Sequence, residues 1–340
     1  MLQRLSAHPD AIPRARRLIK RLAGSATSLM GTRCCMFTFH RAAPSAIWDR
    51  LPNRNFYLDL GFLDRLLSHL NQSGWKIVTI DEMQRQLADG GDRGRYVNFS
   101  VDDCYRDTYE DVVPLFRRHG VPVTLFVTTG IPDGTLSLWC AGLEDALLQR
   151  DRVWHGDEAI ILSSPDSRRE TYTRLAREWD GPDAARHYTE FCLRNDIDEH
   201  AMHWKHAISW DMLHELRRDA LVEIGAHTIM HARISTCTPQ AATVELAGSR
   251  ERLRERLGVV PKHFAFPYGR SGDCGERDFD LARQAGFLSA ATTRKGIVRK
   301  EQDAFSLPRN TLNGAHRSLA MAELHLLGIT GAAARILGRV

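Results

Sequence analysis

Three short segments carry residue types that could share one reaction centre. Val97-Asn98-Phe99-Ser100-Val101-Asp102-Asp103 puts Val97, Phe99 and Val101 on one face of an extended run that closes on adjacent carboxylates. Two acids at a strand end make either a solvated turn or a division of labour, one binding a metal and the other taking a proton from water. His227-Thr228-Ile229-Met230-His231 follows the extended Val222-Gly225 run. Two imidazoles four residues apart on a helical turn lie on one face and could hold one ion. With 15 His in the chain, a pair at this spacing also arises by chance. Two imidazoles plus one carboxylate, with a fourth position open, is a catalytic-zinc donor set. Phe264-Ala265-Phe266-Pro267-Tyr268-Gly269 reads as a strand ending in a tight turn. Such a turn could aim the Tyr268 N–H at a developing oxyanion.

Each segment sits where a strand should end, so the elements between them decide whether they meet. From Cys34 onward strands alternate with helices: Cys34-Phe39, Val97-Val101, Val121-Thr128, Val222-Gly225, His263-Pro267 and Leu288-Thr292 are extended, and Lys76-Ile80 is a further short run. Helical periodicity marks 62–70, 109–119, 210–218, 240–257 and 279–285. Alternation over this length predicts an α/β fold, a distorted seven-stranded (β/α) barrel with its active face at the strands' C-terminal ends. Residues 134–207 interrupt the pattern with charged, Trp-containing helical stretches and no convincing central strand, and are read as an insertion beside the mouth, a lid or a structural cap. The expected organisation is a basic helical arm over 1–33, the barrel over 34–315 and a helical tail over 316–340.

Composition narrows the classes. The 340 residues are 43% hydrophobic and 26% charged, ordinary for a globular chain, and no apolar run reaches the roughly 18 residues a membrane span needs. Seven scattered cysteines form no disulfide framework and no CxxC pair, and residues 22–32 make a poor signal-peptide core, so a cytoplasmic protein with reduced thiols is expected. Residues 1–33 carry +6 of the net +4, leaving −2 for the rest, which disfavours a nucleic-acid binder. The basic arm is either a solvated helix face or a peripheral contact with an anionic inner membrane surface.

In this order, the three segments resemble the motifs of the polysaccharide deacetylases (carbohydrate esterase family 4, the NodB-homology group). Ser100-Val101-Asp102-Asp103 matches the first motif, His227-Thr228-Ile229-Met230-His231 the His-Ser/Thr-x-x-His motif and Pro267-Tyr268-Gly269 the third. The resemblance runs from about Cys34 to Arg309. It implies a divalent metal, most simply Zn²⁺, on Asp103, His227 and His231, with Asp102 as general base toward water. It also implies the Tyr268 N–H at the oxyanion, an N-acetylated saccharide as substrate and acetate as product.

This chain departs from the family pattern at three points. Cys104 stands where Gly usually follows the acid pair, and Ala265 replaces an Arg that orients the base. A terminal Leu-x-His motif is missing, with His316 in a predicted loop. Arg309 is the candidate to replace the lost Arg. His40, ending the first strand, is the candidate proton donor, as in relatives whose His-bearing segment opens the domain. His200, His203 and His206 recur every three residues, a spacing that drifts around a helix and argues against one shared ion. Trp139, Trp204 and Trp210 are either sugar-groove or core residues. Two other readings stay open: an amidohydrolase for a non-sugar N-acyl or cyclic amide compound, and a degraded site that only binds saccharide or a partner.

Overall fold

The computed structural model describes residues 33–89 and 94–336, so the expected basic arm lies outside the described residues apart from Arg33. Seven parallel strands form the body: β1 (Arg33–Phe39), β2 (Arg95–Asp103), β3 (Val123–Val127), β4 (Val222–Ala226), β5 (His263–Ala265), β6 (Ser289–Ala291) and β7 (Asn310–Thr311). Their order is β6-β5-β4-β3-β2-β1-β7, with a short Lys76–Ile77 strand paired to the start of β2. Leu307, just before β7, bridges Ala291 of β6, while Asn310 and Thr311 pair with Phe37 and Thr38 of β1. Residues 307–311 therefore join the two ends of the sheet, and the distorted seven-stranded barrel read from the sequence is the observed fold.

The strands read as near-continuous apolar runs because both faces are covered, the outer one by helices. Period-two alternation splits each run. Cys35, Phe37, Phe39, Val97, Phe99, Val101, Val123 and Leu125 join the large core shared with helices such as α1 (Leu60–Gln72) and α2 (Pro239–Leu257). The alternate positions Cys34, Met36, Tyr96, Phe126, Ala265, Ala291 and Leu307 form a separate cluster inside the barrel. That inner face also carries Thr38, Asn98, Ser100, Asp102, Thr124 and Arg309, all buried. Interior polarity of this kind is tolerated only when every group finds a partner.

The expected boundaries shift at several points. Extension at Lys76 ends at Ile77, and Ile80 already opens a helix reaching Asp89. A π-helical stretch, Thr108–Val112, precedes the regular helix Val113–His119. The insertion has helices Trp139–Gln149, Pro165–Glu178 and Ala184–Arg194 around its own core with Trp179 at the centre, and a further helix, α3 (Glu199–His206), whose Trp204 packs on the main core. It also contains an antiparallel hairpin, Arg152–His155 with Glu158–Ile161, that sequence reading did not anticipate. The Glu158–Ile161 strand of that hairpin buries little surface, so its alternation is weak. The tail is helical over Leu319–Leu326 and Ile329–Ile336 and packs on the barrel, with His325 edge-on to Phe37. All seven cysteines are unpaired.

Candidate metal and hydrolysis site

The three segments converge at the C-terminal ends of β2, β4 and β5. Asp102 and Asp103 are the last residues of β2, inside the strand rather than in a turn after it. Alternation sends Asp102 into the barrel. Asp103 takes φ 66° and Cys104 φ 66°, a left-handed pair that turns the chain sharply at the mouth. Glycine would suit that backbone best. Cys104 occupies it with a buried thiol directed at the carbonyls of Phe126 and Val101, and burial raises its pKa well above the ordinary value.

The helical turn expected for His227–His231 is not observed. These residues form an irregular loop with Thr228 at φ 65° and His231 at φ 53°. The loop is held from two sides instead. Thr129 and Gly130 donate from their amides to the carbonyls of Thr228 and Ile229, and the Glu245 carboxylate on α2 accepts from the amides of Ile229 and Met230 at 2.8 and 2.9 Å. Nothing in the sequence singles out Glu245, which lies among helix-forming residues.

Within this frame His227 Nδ1 donates to the Ala265 carbonyl at 2.7 Å, leaving Nε2 as the free lone pair. His227 Nε2 lies 3.5 Å and His231 Nε2 3.4 Å from Asp103 Oδ1. Burial pushes the His227 imidazole down to about 4, against the pull of Asp102 and Asp103, so it is neutral near pH 7. Asp103 Oδ1 is buried and accepts no hydrogen bond among the described residues. An orphaned buried carboxylate oxygen facing two imidazole nitrogens without a hydrogen bond to either is costly unless a cation sits between them. The donor set fits a divalent transition metal.

Asp102 is held quite differently. Arg309, fully buried, donates to both carboxylate oxygens at 2.6 and 2.9 Å. Its remaining donors reach Thr38 Oγ1, Ser100 Oγ and the Thr292 carbonyl, and its guanidinium lies over the Phe126 ring. Burial alone would raise the Asp102 pKa; Arg309, with His227 and His40 nearby, outweighs it and holds the carboxyl at about 2. The small Ala265 side chain borders the same interior cluster. The charge that the third motif lacks thus enters from residues 307–311, which close the barrel.

His40 is half-buried just beyond β1, its ring 5.0 Å from Phe56, and is close enough to Asp102 for its charge to bear on that carboxyl. Tyr268 adopts φ 61°, and its amide donates no hydrogen bond among the described residues. Its ring packs 5.0 Å from His231, under the Arg233 guanidinium. Gly269 follows at φ 68°, where a Cβ would come 2.7 Å from the Thr293 amide nitrogen, so the turn requires glycine. Five of the six non-glycine residues at positive φ among the described residues are Asp103, Cys104, Thr228, His231 and Tyr268. Strain of roughly 1–3 kcal/mol per residue, concentrated at one mouth, is the pattern of a working site.

The other candidates separate cleanly. His200 accepts from Trp204 Nε1, His203 donates to the Ile131 carbonyl and His206 faces Asp145, so the three share no centre. Trp139 packs on Trp179, and Trp210 donates to Asp133. His316 pairs with Asn313 in a loop.

Comparison with known proteins bears on the fold and on part of the sequence. Residues 183–288 match the polysaccharide deacetylase family model, a stretch holding the second and third motifs. The first motif lies upstream, beyond the insertion. A curated relative, "Putative polysaccharide deacetylase YxkH" of Bacillus subtilis (strain 168), is 25% identical over 105 residues, 31% of this chain and 36% of that protein. The chain therefore spans about a third of that relative's length. Among solved structures, the Streptococcus pyogenes deacetylase PplD in complex with acetate aligns with TM-score 0.56 and 15% identity over 84% of this chain and 94% of its own. IcaB from Ammonifex degensii gives 0.55 and 18% over 86% and 97%. At such identities these structures share the fold.

Proposed function

We propose that this chain is a divalent-metal-dependent hydrolase that removes the N-acetyl group from a sugar residue of a polysaccharide, oligosaccharide or glycolipid precursor. One observation carries the reading: a buried, unpartnered Asp103 Oδ1 lies within 3.5 Å of two imidazole nitrogens, one strand residue from a carboxylate clamped by a buried arginine. Asp103, His227 and His231 would hold the ion, with Zn²⁺ the simplest match to the donors. Bound there, a divalent ion makes water acidic and polarises an amide carbonyl.

The protein's own groups supply the rest. Asp102, ionised and fixed in orientation by Arg309, accepts the proton of the attacking water. The Tyr268 amide donates to the carbonyl oxygen as negative charge develops on it. His40 delivers a proton to the departing amine nitrogen, so that the C–N bond breaks to acetate and a free amino sugar. The degraded-site alternative drew on Ala265 and the missing terminal His. Arg309 and His40 supply candidates for both roles.

Acetate release from N-acetylglucosamine oligomers tests the proposal against N-acyl amino acids and cyclic amides. Release from the sugars that depends on added Zn²⁺ supports it, and turnover confined to the non-sugar amides overturns it.

A further inference from the structure

The His40 ring makes no hydrogen bond among the described residues. Its direction is set by the backbone it leaves and by the Phe56 ring, 5.0 Å away. Both are fixed by a buried polar cluster that lies outside the reaction centre.

Arg41, the next residue, is 7% exposed. The Asp107 carboxylate accepts from Arg41 Nε at 2.9 Å and from the Ala42 amide at 2.8 Å. One side chain thus clamps the two residues that follow His40. The Arg41–Ala43 segment pairs in parallel with Tyr57–Asp59, placing Arg41 beside Tyr57. The Arg41 guanidinium lies 4.8 Å from the centroids of both the Tyr57 and the Tyr105 rings, and each ring face attracts the cation. Phe56, which packs on His40, stands edge-on to the same two tyrosines at 6.4 and 6.0 Å.

The insertion holds both tyrosines. From the helix Trp139–Gln149, the Glu144 carboxylate accepts from the Tyr57 hydroxyl, and from the Asn53 amide at 2.8 Å. At the far end of the insertion, Ala207 forms a backbone bridge to Tyr105. Glu144 is 3% exposed, and burial raises its pKa against the pull of Tyr57, Asn53 and Arg41. A carboxylate sunk that deeply is costly unless it is hydrogen-bonded. Its two donors, Asn53 and Tyr57, flank Phe56 in the chain. We propose that Glu144, acting through Tyr57, Phe56 and Arg41, is a positioning residue for His40, so that the insertion works as a strut for the proton donor. The proposal rests on reading His40 as that donor in sugar deacetylation.

The leaving group separates this role from general structural damage. Departure of an amine needs a proton, whereas the phenolate of para-nitrophenyl acetate leaves without one. In the full, metal-loaded chain, Glu144→Ala should lower kcat for acetate release from the N-acetylglucosamine hexamer about tenfold, part of the roughly 10²–10⁴ that a general acid supplies. KM, metal content and ester turnover should stay unaltered. Tyr57→Phe should act alike and covers the case in which Glu144→Ala does not fold. Glu144→Gln, which can still bond both partners, should restore most of the rate. Combined with His40→Ala, neither Glu144→Ala nor Tyr57→Phe should cost anything further. Equal losses on amide and ester, the same loss repeated in the His40→Ala background, or no loss at all overturns the strut. A native chain that releases no acetate from any sugar removes the deacetylase reading by itself. Hydrogen exchange then decides the strut, as it does where neither the ester nor the His40→Ala background gives a measurable rate. Faster exchange at residues 40–43 in Glu144→Ala upholds it, and unchanged exchange there removes it.

Discussion

The two ends of the barrel carry nearly the same side chains, with opposite outcomes. At the C-terminal end are Asp103, His227 and His231; at the N-terminal end are Asp81, Glu223 and His263. Glu223 and His227 stand four residues apart on and just beyond β4, so they face the same interior column. At the lower end every contact is made. His263 bonds Ser289 Oγ through Nδ1 and Asp81 through Nε2, Glu223 accepts from Thr124 and the Ile80 amide, and Lys262 pairs with Asp81. At the upper end the Asp103 oxygen is left bare, and the backbone around it is strained. An inventory of acids and imidazoles therefore does not define a metal centre. Unsatisfied donors at a strained loop do, whereas a fully satisfied cluster is a plug that stabilises the barrel floor.

The sharpest way to break that comparison is Asp103→Ala. Metal content should fall from one ion per chain to none, acetate release should drop to background, and the melting temperature should change little. Two ions in the native chain, one of them lost in His263→Ala, would erase the distinction between the poles. Next in size, Asp102→Asn should lower kcat by roughly 10²–10⁴-fold with metal retained, the usual worth of a general base. Full turnover in that variant would dismiss Asp102 from the role.

Arg309→Met should cost about 3–5 kcal/mol in denaturant unfolding, because it strands a buried carboxylate. His263→Ala, which removes hydrogen bonds at the floor, should cost about 1–3 kcal/mol and leave metal content and kcat unaltered. The smallest effect is on pH dependence. Burial lowers the pKa of His263, and that of His325 to about 4. The unfolded chain takes up protons near the ordinary value of about 6.5 that these folded imidazoles refuse. Stability from this source is present above that value and declines as pH falls from 6.5 toward 4. Urea unfolding at pH 7.5 and pH 5 should show the decline, and His325→Gln should reduce it.

Much of the upper site was legible because it is written in contiguous motifs at strand ends: Asp102-Asp103, His227 with His231, and Pro267-Tyr268-Gly269. Arg309 was legible as the candidate to fill the vacancy at Ala265, although the bond that matters joins residues 207 positions apart. The His227–His231 loop was misread as helical because a four-residue spacing does not distinguish a helical turn from a loop pinned by tertiary contacts. Glu245 left no trace, since an acid on a charged helix looks the same whether it faces solvent or two loop amides. The insertion's hairpin hid for a related reason, its exposed strand having no buried face to alternate against.

The ring closure at residues 307–311 links maturation to chemistry. A nascent chain that has emerged only as far as Ser306 already contains Asp103, His227 and His231, the Asp102 carboxylate and the Tyr268 turn. It lacks the cation that neutralises Asp102 and the bridge that seals the wall. On the proposed function, competence for hydrolysis arrives with β7, in the same event that closes the barrel.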